Sequence, residues 1–268
     1  MTRVVVTGGA GVLGSRVVHE LQSRGVLVRV LGRRPAPATL PDRVEWAQTD
    51  LTVEAGLTAA LAGVDVIVHC ASDSTAPGSD VDVARHLLQA ASAAGVGHIV
   101  YISIVGIDVL TSFAYYAAKL EVEQVIAAGN VPFTVLRATQ FHDFVANLLP
   151  QLTRGPFVLL PRGVSVQPVD VAPVAARLAE IALASPSGRL PDLAGPEIRT
   201  LSSLAQAWLR ATRRRAMVLS LPLPGRLFRA IRQGALTAPS TTGVGETWET
   251  WLSQHAAEPS RYTRTRAT

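Results

Sequence analysis

The stretch Val4-Val5-Val6-Thr7-Gly8-Gly9-Ala10-Gly11-Val12-Leu13-Gly14 decides how this chain is read. Residues 4–7 are a β-branched run, the pattern of a strand buried on both faces. Helical spacing of apolar residues begins at Val12 and runs to Arg24, where Gly25 supplies a C-terminal cap. Between strand and helix stand Gly8, Gly11 and Gly14 at regular spacing. The turn needs a glycine for its dihedrals, a pyrophosphate needs a missing Cβ to approach the backbone, and Gly14 lets the helix close on the strand. Free N–H groups of the first helical turn then offer an anion a partial positive charge. Strand, glycines and helix in that order turn a Gly-rich run into a dinucleotide site. Gly8, Gly9, Ala10, Gly11, Val12, Leu13 and Gly14 are therefore expected to bind the cofactor.

Outward from this loop, further strands are expected at 26–31, 44–47, 64–69, 99–102 and 131–136. Helices are expected at 53–61, 81–94 and 113–127. Such alternation predicts an α/β protein: a Rossmann-type doubly wound parallel sheet. The second half is less regular. Helices are expected at 141–152, 174–184, 201–214, 226–231 and 248–254, with Gly and Pro punctuating 155–168. The expected organisation is a dinucleotide-binding core over 1–136, a smaller substrate-binding region over 137–255 packed on it, and a flexible tail over 256–268.

Composition narrows the class. The 268 residues are 48% hydrophobic and 17% charged, enough apolar material for a substantial core and unlike a disordered chain. No uninterrupted apolar run reaches about 18 residues, so no membrane span is expected. Met1-Thr2-Arg3 lead straight into the first strand, without a signal-peptide pattern. Cys70 is the one cysteine, which leaves no internal disulfide. A cytoplasmic protein without a metal site is expected. The net charge of +5 and pI of about 10.1 raise nucleic acid and membranes as partners. The arginines, however, are dispersed, with one short cluster at Arg213, Arg214 and Arg215 that reads as a solvated helix end. Neither partner is expected, although the segment 226–233 reads either as a pocket lid or as a membrane-touching element.

The cofactor is chosen after the second strand. An NAD site places Asp or Glu there for the ribose 2′-OH. This chain has Gly32-Arg33-Arg34, two guanidiniums able to grip a 2′-phosphate. NADP(H), chiefly as NADPH, is expected, with NAD less favoured and Arg16 assisting. Asp50 and Leu51 are placed to meet the adenine, and Cys70, Ala71 and Ser72 to lie beside the cofactor.

Tyr115 and Lys119 stand four apart on an expected helix and share a face. Lys119 is the one lysine among 25 basic residues, which points to a task a guanidinium cannot perform. Together with the glycine loop, the stretches Tyr101-Ile102-Ser103-Ile104-Val105-Gly106, Tyr115-Tyr116-Ala117-Ala118-Lys119 and Leu136-Arg137-Ala138-Thr139-Gln140-Phe141 resemble the NmrA-like, atypical branch of the short-chain dehydrogenases/reductases. The likeness continues to Gly245-Glu246-Thr247-Trp248.

The resemblance implies that Tyr115 exchanges a proton with the substrate oxygen. It also implies that Lys119 bonds the nicotinamide ribose and lowers the Tyr115 pKa. Tyr116 is the packing alternative in the same motif, and Glu123 reads as a helix-surface partner. A departure falls at Ile104, where the family usually has Ser or Thr to hold the substrate oxygen; Ser103 stands just before it. Gln140, Phe141 and His142 are expected on the substrate side, with Phe144, Leu223, Leu227 and Phe228 as an apolar wall. The implied activity is hydride transfer to or from a small carbonyl, alcohol or quinone-like substrate, by a monomer or homodimer. A non-catalytic dinucleotide sensor and a sugar-nucleotide epimerase are the alternatives.

Overall fold

The computed structural model describes residues 1–38, 40–73 and 75–255. In chain order the elements begin β1 (Arg3–Thr7), α1 (Val12–Ser23), β2 (Leu27–Gly32), β3 (Val44–Gln48), α2 (Leu57–Ala60), β4 (Val66–His69), α3 (Pro77–Ala94), β5 (His98–Ile104), α4 (Ala114–Ala128) and β6 (Phe133–Ala138). They continue α5 (His142–Gln151), β7 (Thr153–Arg154), β8 (Phe157–Pro161), β9 (Ser165–Val166), α6 (Val171–Ala182), β10 (Gly188–Arg189), β11 (Arg199–Thr200), α7 (Leu201–Ala211), β12 (Met217–Leu221), α8 (Arg226–Arg232) and α9 (Trp248–His255). Two compact units result. The first is Met1–Arg137 with Val174–Pro191; the second is Ala138–Pro173 with the described part of Asp192–Thr268.

The first unit is built on a seven-stranded sheet of order β10-β6-β5-β4-β1-β2-β3, the doubly wound arrangement expected from the sequence. Pairing is parallel, as in Thr7↔Leu31 and Thr7↔His69. The strands read as apolar runs because both faces are covered. Val5, Ile67 and Ile99 pack with Leu57, Leu61 and Leu87. Tyr101 and Val135 pack with Val81, Val122 and Ile126 of α3 and α4. The strand order reverses between β1 and β4, and a crevice opens outside the carboxyl ends of strands at such a switch.

Three local expectations are corrected. The helix expected at 53–61 shrinks to α2. The Thr52 amide and hydroxyl both donate to Asp50 Oδ1 (2.9 and 2.8 Å), and Gly56 takes a left-handed φ of +85°, so the helix starts only at Leu57. The sixth strand lies at 133–138 rather than 131–136, with Val131 in the core and the Pro132 carbonyl accepting from the Ile99 amide at 2.9 Å. The helix expected to reach 214 stops at Ala211. Arg213 adopts φ +54°, and the Arg214 amide folds back on the Leu209 carbonyl at 3.0 Å.

The second unit holds two small sheets. β12 and β8 pair in parallel and β7 joins β8 antiparallel; β11 pairs with β9. The Thr200 side chain caps α7, which buries Leu204 and Trp208. Trp248 and Trp251 stack at 5.5 Å, and Trp248 Nε1 donates to the Leu204 carbonyl at 3.0 Å. No helix among the described residues is long and apolar enough to cross a membrane.

Candidate dinucleotide and proton-transfer site

At the end of β1 the chain turns at Gly8, whose φ is +68°. A Cβ there would stand 2.8 Å from the Ala71 amide nitrogen, so the turn rests directly on the segment leaving β4. The Gly11 amide donates to the Gly8 carbonyl at 2.8 Å, closing the turn. A Cβ on Gly14 would come within 2.2 Å of that same carbonyl, so α1 packs on the loop itself. Thr7 ties the two strand ends together. Its Oγ1 accepts from the Ala71 amide (3.2 Å) and hydrogen-bonds His69 Nδ1 (2.7 Å).

Ala10 and Gly11 are exposed, no side chain caps α1, and its first turn carries no acidic residue. Amides bare of side-chain partners and free of negative charge fit a diphosphate. Val12 and Leu13 start α1, with Leu13 in the core.

The expected cofactor-side residues follow the carboxyl ends of neighbouring strands, and among them the Cys70–Ala71 backbone meets the turn at Gly8. Arg33 and Arg34 follow β2 and are exposed. The Arg33 charge helps hold the Asp50 and Asp73 carboxyls below their usual range, behind the larger effect of hydrogen bonds from Thr52 and Thr75 respectively. Leu51 packs against the core of the first unit. Burial pushes the Cys70 thiol up to about 12, far from a reactive thiolate.

Ser72 leads to an arrangement the sequence did not disclose. Its Oγ donates to Asp80 Oδ2 at 2.6 Å and lies 3.2 Å from Tyr115 Oη. Asp80, in the first turn of α3, also accepts from the Asp73 amide at 2.8 Å. Lys119 Nζ lies 3.9 Å from Asp80 Oδ2, with both side chains buried. It also sits over the Tyr101 ring at 5.0 Å and 5.8 Å from the Tyr115 ring centroid. Tyr115, Lys119, Ser72 and Asp80 thus form one cluster beside the glycine turn.

The electrostatics of the free protein differ from those implied by the resemblance. Tyr115 is raised rather than lowered: burial comes first and the Asp80 and Asp73 charges add to it, against the opposing Ser72 hydrogen bond. Lys119 is lowered by burial, with Asp80 opposing. His69, stacked on Tyr101 at 5.4 Å, is driven down to about 3 by burial and stays neutral.

Ser103 is 2% exposed, and its Oγ has no hydrogen-bond partner among the described residues; the same holds for Tyr101 Oη on the same strand. Tyr116 packs edge-on against Phe113 and Tyr115, and burial raises it to about 12. Glu123 is not the surface partner expected. It is buried, and Arg137 grips it through Nε and Nη2 (2.8 and 2.7 Å) while bonding Asp108 with Nη1 and Nη2.

Gln140, Phe141 and His142 belong to the second unit. The Gln140 amide is buried with no partner for either polar atom among the described residues. Phe141 caps α5 by its backbone. His142 packs tilted against the stacked Trp248 and Trp251 rings (5.5 and 5.6 Å), with Nε2 3.0 Å from the Glu246 carbonyl oxygen. Among the described residues, no cluster of His, Cys, Asp and Glu is disposed to hold a metal.

Comparison with known proteins gives the family. A family model described as NAD(P)H-binding matches residues 8–181. The (4-alkanoyl-5-oxo-2,5-dihydrofuran-3-yl)methyl phosphate reductase of Streptomyces griseus is 30% identical over 203 residues, covering 74% of this chain and 69% of its own. Quinone oxidoreductase 2 of Escherichia coli is 29% identical over 210 residues, 75% of this chain and 72% of that one. The crystal structure of the NADPH-dependent quinone oxidoreductase QOR2 of Escherichia coli, complexed with NADPH, shares the fold with a TM-score of 0.80. It is 23% identical, over 94% of this chain and 99% of that one.

Proposed function

The chain belongs to the NAD(P)H-binding family, and from that premise we propose that it is an NADPH-dependent reductase of a small carbonyl or quinone-like compound. The observation that carries this reading is the Ser72 hydroxyl, set between Tyr115 Oη at 3.2 Å and Asp80 at 2.6 Å beside the glycine turn. Two relatives named as a reductase and as a quinone oxidoreductase support the reaction class. The NADPH named with the QOR2 structure and the pair Arg33 and Arg34 support the cofactor.

The nicotinamide, when bound, supplies the hydride. The chain supplies the rest. The free amides at the start of α1 would hold the diphosphate, and Arg33 and Arg34 the 2′-phosphate. Lys119 would bond the nicotinamide ribose. Burial keeps Tyr115 protonated, which suits a phenol that gives its proton to the oxygen of a reduced carbonyl. The Lys119 charge stabilises the phenolate left behind, and the Ser72 hydroxyl turns its one proton from Asp80 to it.

A second reading, a dinucleotide sensor without turnover, is favoured by one observation: Ser103, the residue nearest to the expected substrate-oxygen donor, is buried. One experiment separates the two. Nicotinamide fluorescence titration gives the affinities for NADPH and NADH, and NADPH oxidation is followed over a panel of quinones and carbonyls. The reductase reading expects turnover that Tyr115→Phe removes while NADPH still binds. Undiminished turnover in the variant takes Tyr115 out of the mechanism; binding without any turnover favours the sensor.

A further inference from the structure

The second unit carries a surface that the dinucleotide site does not use. β12 is an edge strand, paired with β8 alone. Ser220 points to α7, where its Oγ meets Ser202 Oγ at 2.9 Å. By strand alternation Met217, Leu219 and Leu221 point to the opposite face, and they are 60%, 38% and 43% exposed. The parallel register Met217↔Phe157, Leu219↔Leu159 and Leu221↔Pro161 puts three more apolar, half-buried residues on that face. A sheet face in contact with water is ordinarily polar.

The charge around this strand is one-sided. The sequence has no Asp or Glu between Glu197 and Glu246. In the same interval Arg210 precedes the strand, the exposed run 213–215 leads into it, and exposed Arg226, Arg229 and Arg232 lie on α8 just after it. Arg210 and Arg214 line an open recess of about 340 Å³ with Ala216 and Val218, on the α7 side of the same strand. The recess arginines thus lie on the other face, where Glu249 of α9 acts on Arg210. The strand therefore presents an exposed apolar row on one face, with exposed arginines just before and after it in a segment that has no carboxylate of its own. That combination matches the headgroup boundary of an anionic bilayer, where apolar side chains enter and arginines meet lipid phosphates.

We propose that this edge of the second unit docks the protein peripherally on an anionic lipid surface. Met217, Leu219 and Leu221 enter the interface, and exposed Arg213 and Arg215 before the strand and Arg226, Arg229 and Arg232 after it pair with lipid phosphates. A nucleic acid would match the arginines but leave the apolar row in water. A second copy would bring the same positive charge against itself. The inference stands apart from the catalytic reading, since none of these residues belongs to the dinucleotide site.

The test is co-sedimentation of the full chain with vesicles of phosphatidylcholine alone and of phosphatidylcholine with an equal share of phosphatidylglycerol. Binding is expected only to the anionic vesicles, weakened by salt. Replacing Arg213 and Arg215 by Gln is expected to lower the partition by about thirtyfold, from the contribution of each basic residue near a charged surface. The triple variant Met217→Ser, Leu219→Ser, Leu221→Ser is expected to lose most binding while its NADPH affinity, which reports a folded first unit, is unchanged. The single change Leu219→Gln gives a milder check should the triple variant fail to fold. Parent protein left in the supernatant with both vesicle types overturns the proposal. So does an apolar-row variant that pellets like the parent, or a dimer in light scattering that the apolar-row variant dissolves.

Discussion

Asp80 Oδ2 faces Lys119 Nζ at 3.9 Å, with both side chains nearly excluded from water. The same oxygen accepts the shorter bond from Ser72 at 2.6 Å, so one buried carboxylate serves the lysine, the serine and, through the serine, Tyr115. Removing one partner of a buried pair leaves the other charge uncompensated. Asp80→Asn is expected to destabilise the protein by about 3 kcal/mol, read as a lowered urea midpoint. A change within about 0.5 kcal/mol, the scatter of ordinary surface substitutions, would show that Lys119 does not rely on Asp80.

On the proposed mechanism, Tyr115 governs the pH dependence. Its phenol is raised above the ordinary value of 10.0, chiefly by burial. A proton donor stays competent below its pKa, so reduction measured as kcat/KM is expected to show no alkaline limb from this group through the neutral range or up to pH 10. An alkaline limb near neutrality, matched in the parent by a phenolate absorbance change that Tyr115→Phe lacks, would instead mean that Lys119 dominates the phenol.

Arg33 is exposed and close enough to Asp50 and Asp73 to lower both carboxyls. A 2′-phosphate would compete with those carboxylates for the guanidinium. Arg33→Ala is expected to weaken NADPH about 10- to 100-fold, the range for a charge-assisted hydrogen bond, while NADH affinity barely changes. Equal losses for the two nucleotides would remove Arg33 from cofactor choice.

His69 links stability to acid. Its folded pKa of about 3 lies below the ordinary 6.5, so between those values the unfolded chain takes up a proton that the folded chain refuses. Its contribution is intact above pH 6.5 and is lost as pH falls towards 3, by at most about 1.4 kcal/mol per pH unit. Urea unfolding at several pH values should give a shallower acid slope for His69→Gln than for the parent. Some slope remains, because His98 and His142 are lowered too. Superimposable slopes would show that His69 is not the group responsible.

Much of the first unit was legible because its strands are buried on both faces and declare themselves as apolar runs, while Gly25 and Gly95 end their helices in open view. The small sheets of the second unit were not. β8 and β12 are five residues each, lie about sixty positions apart and stabilise each other only across that gap, so neither shows a local period strong enough to read. At the candidate site, the glycine turn and the Tyr115–Lys119 spacing are sequence-local patterns. Asp80 is not: one acidic residue in the first turn of a helix reads as a solvated complement to the helix dipole. Only the path of the segment leaving β4 buries it under Ser72. Glu123 misled for the same reason, since its partner Arg137 lies on a strand fourteen residues away.

The seven-stranded sheet is completed by β10, which pairs with β6 only after the chain has passed through residues 138–173 of the second unit and formed α6. During synthesis the first 137 residues leave the ribosome with β6 as an open border, and α6 and β10 still unmade. A fragment cut at residue 137 keeps that border open to other chains, a hazard of unpaired strand edges. Neither unit is therefore a contiguous cassette that can be exchanged or expressed by a single cut.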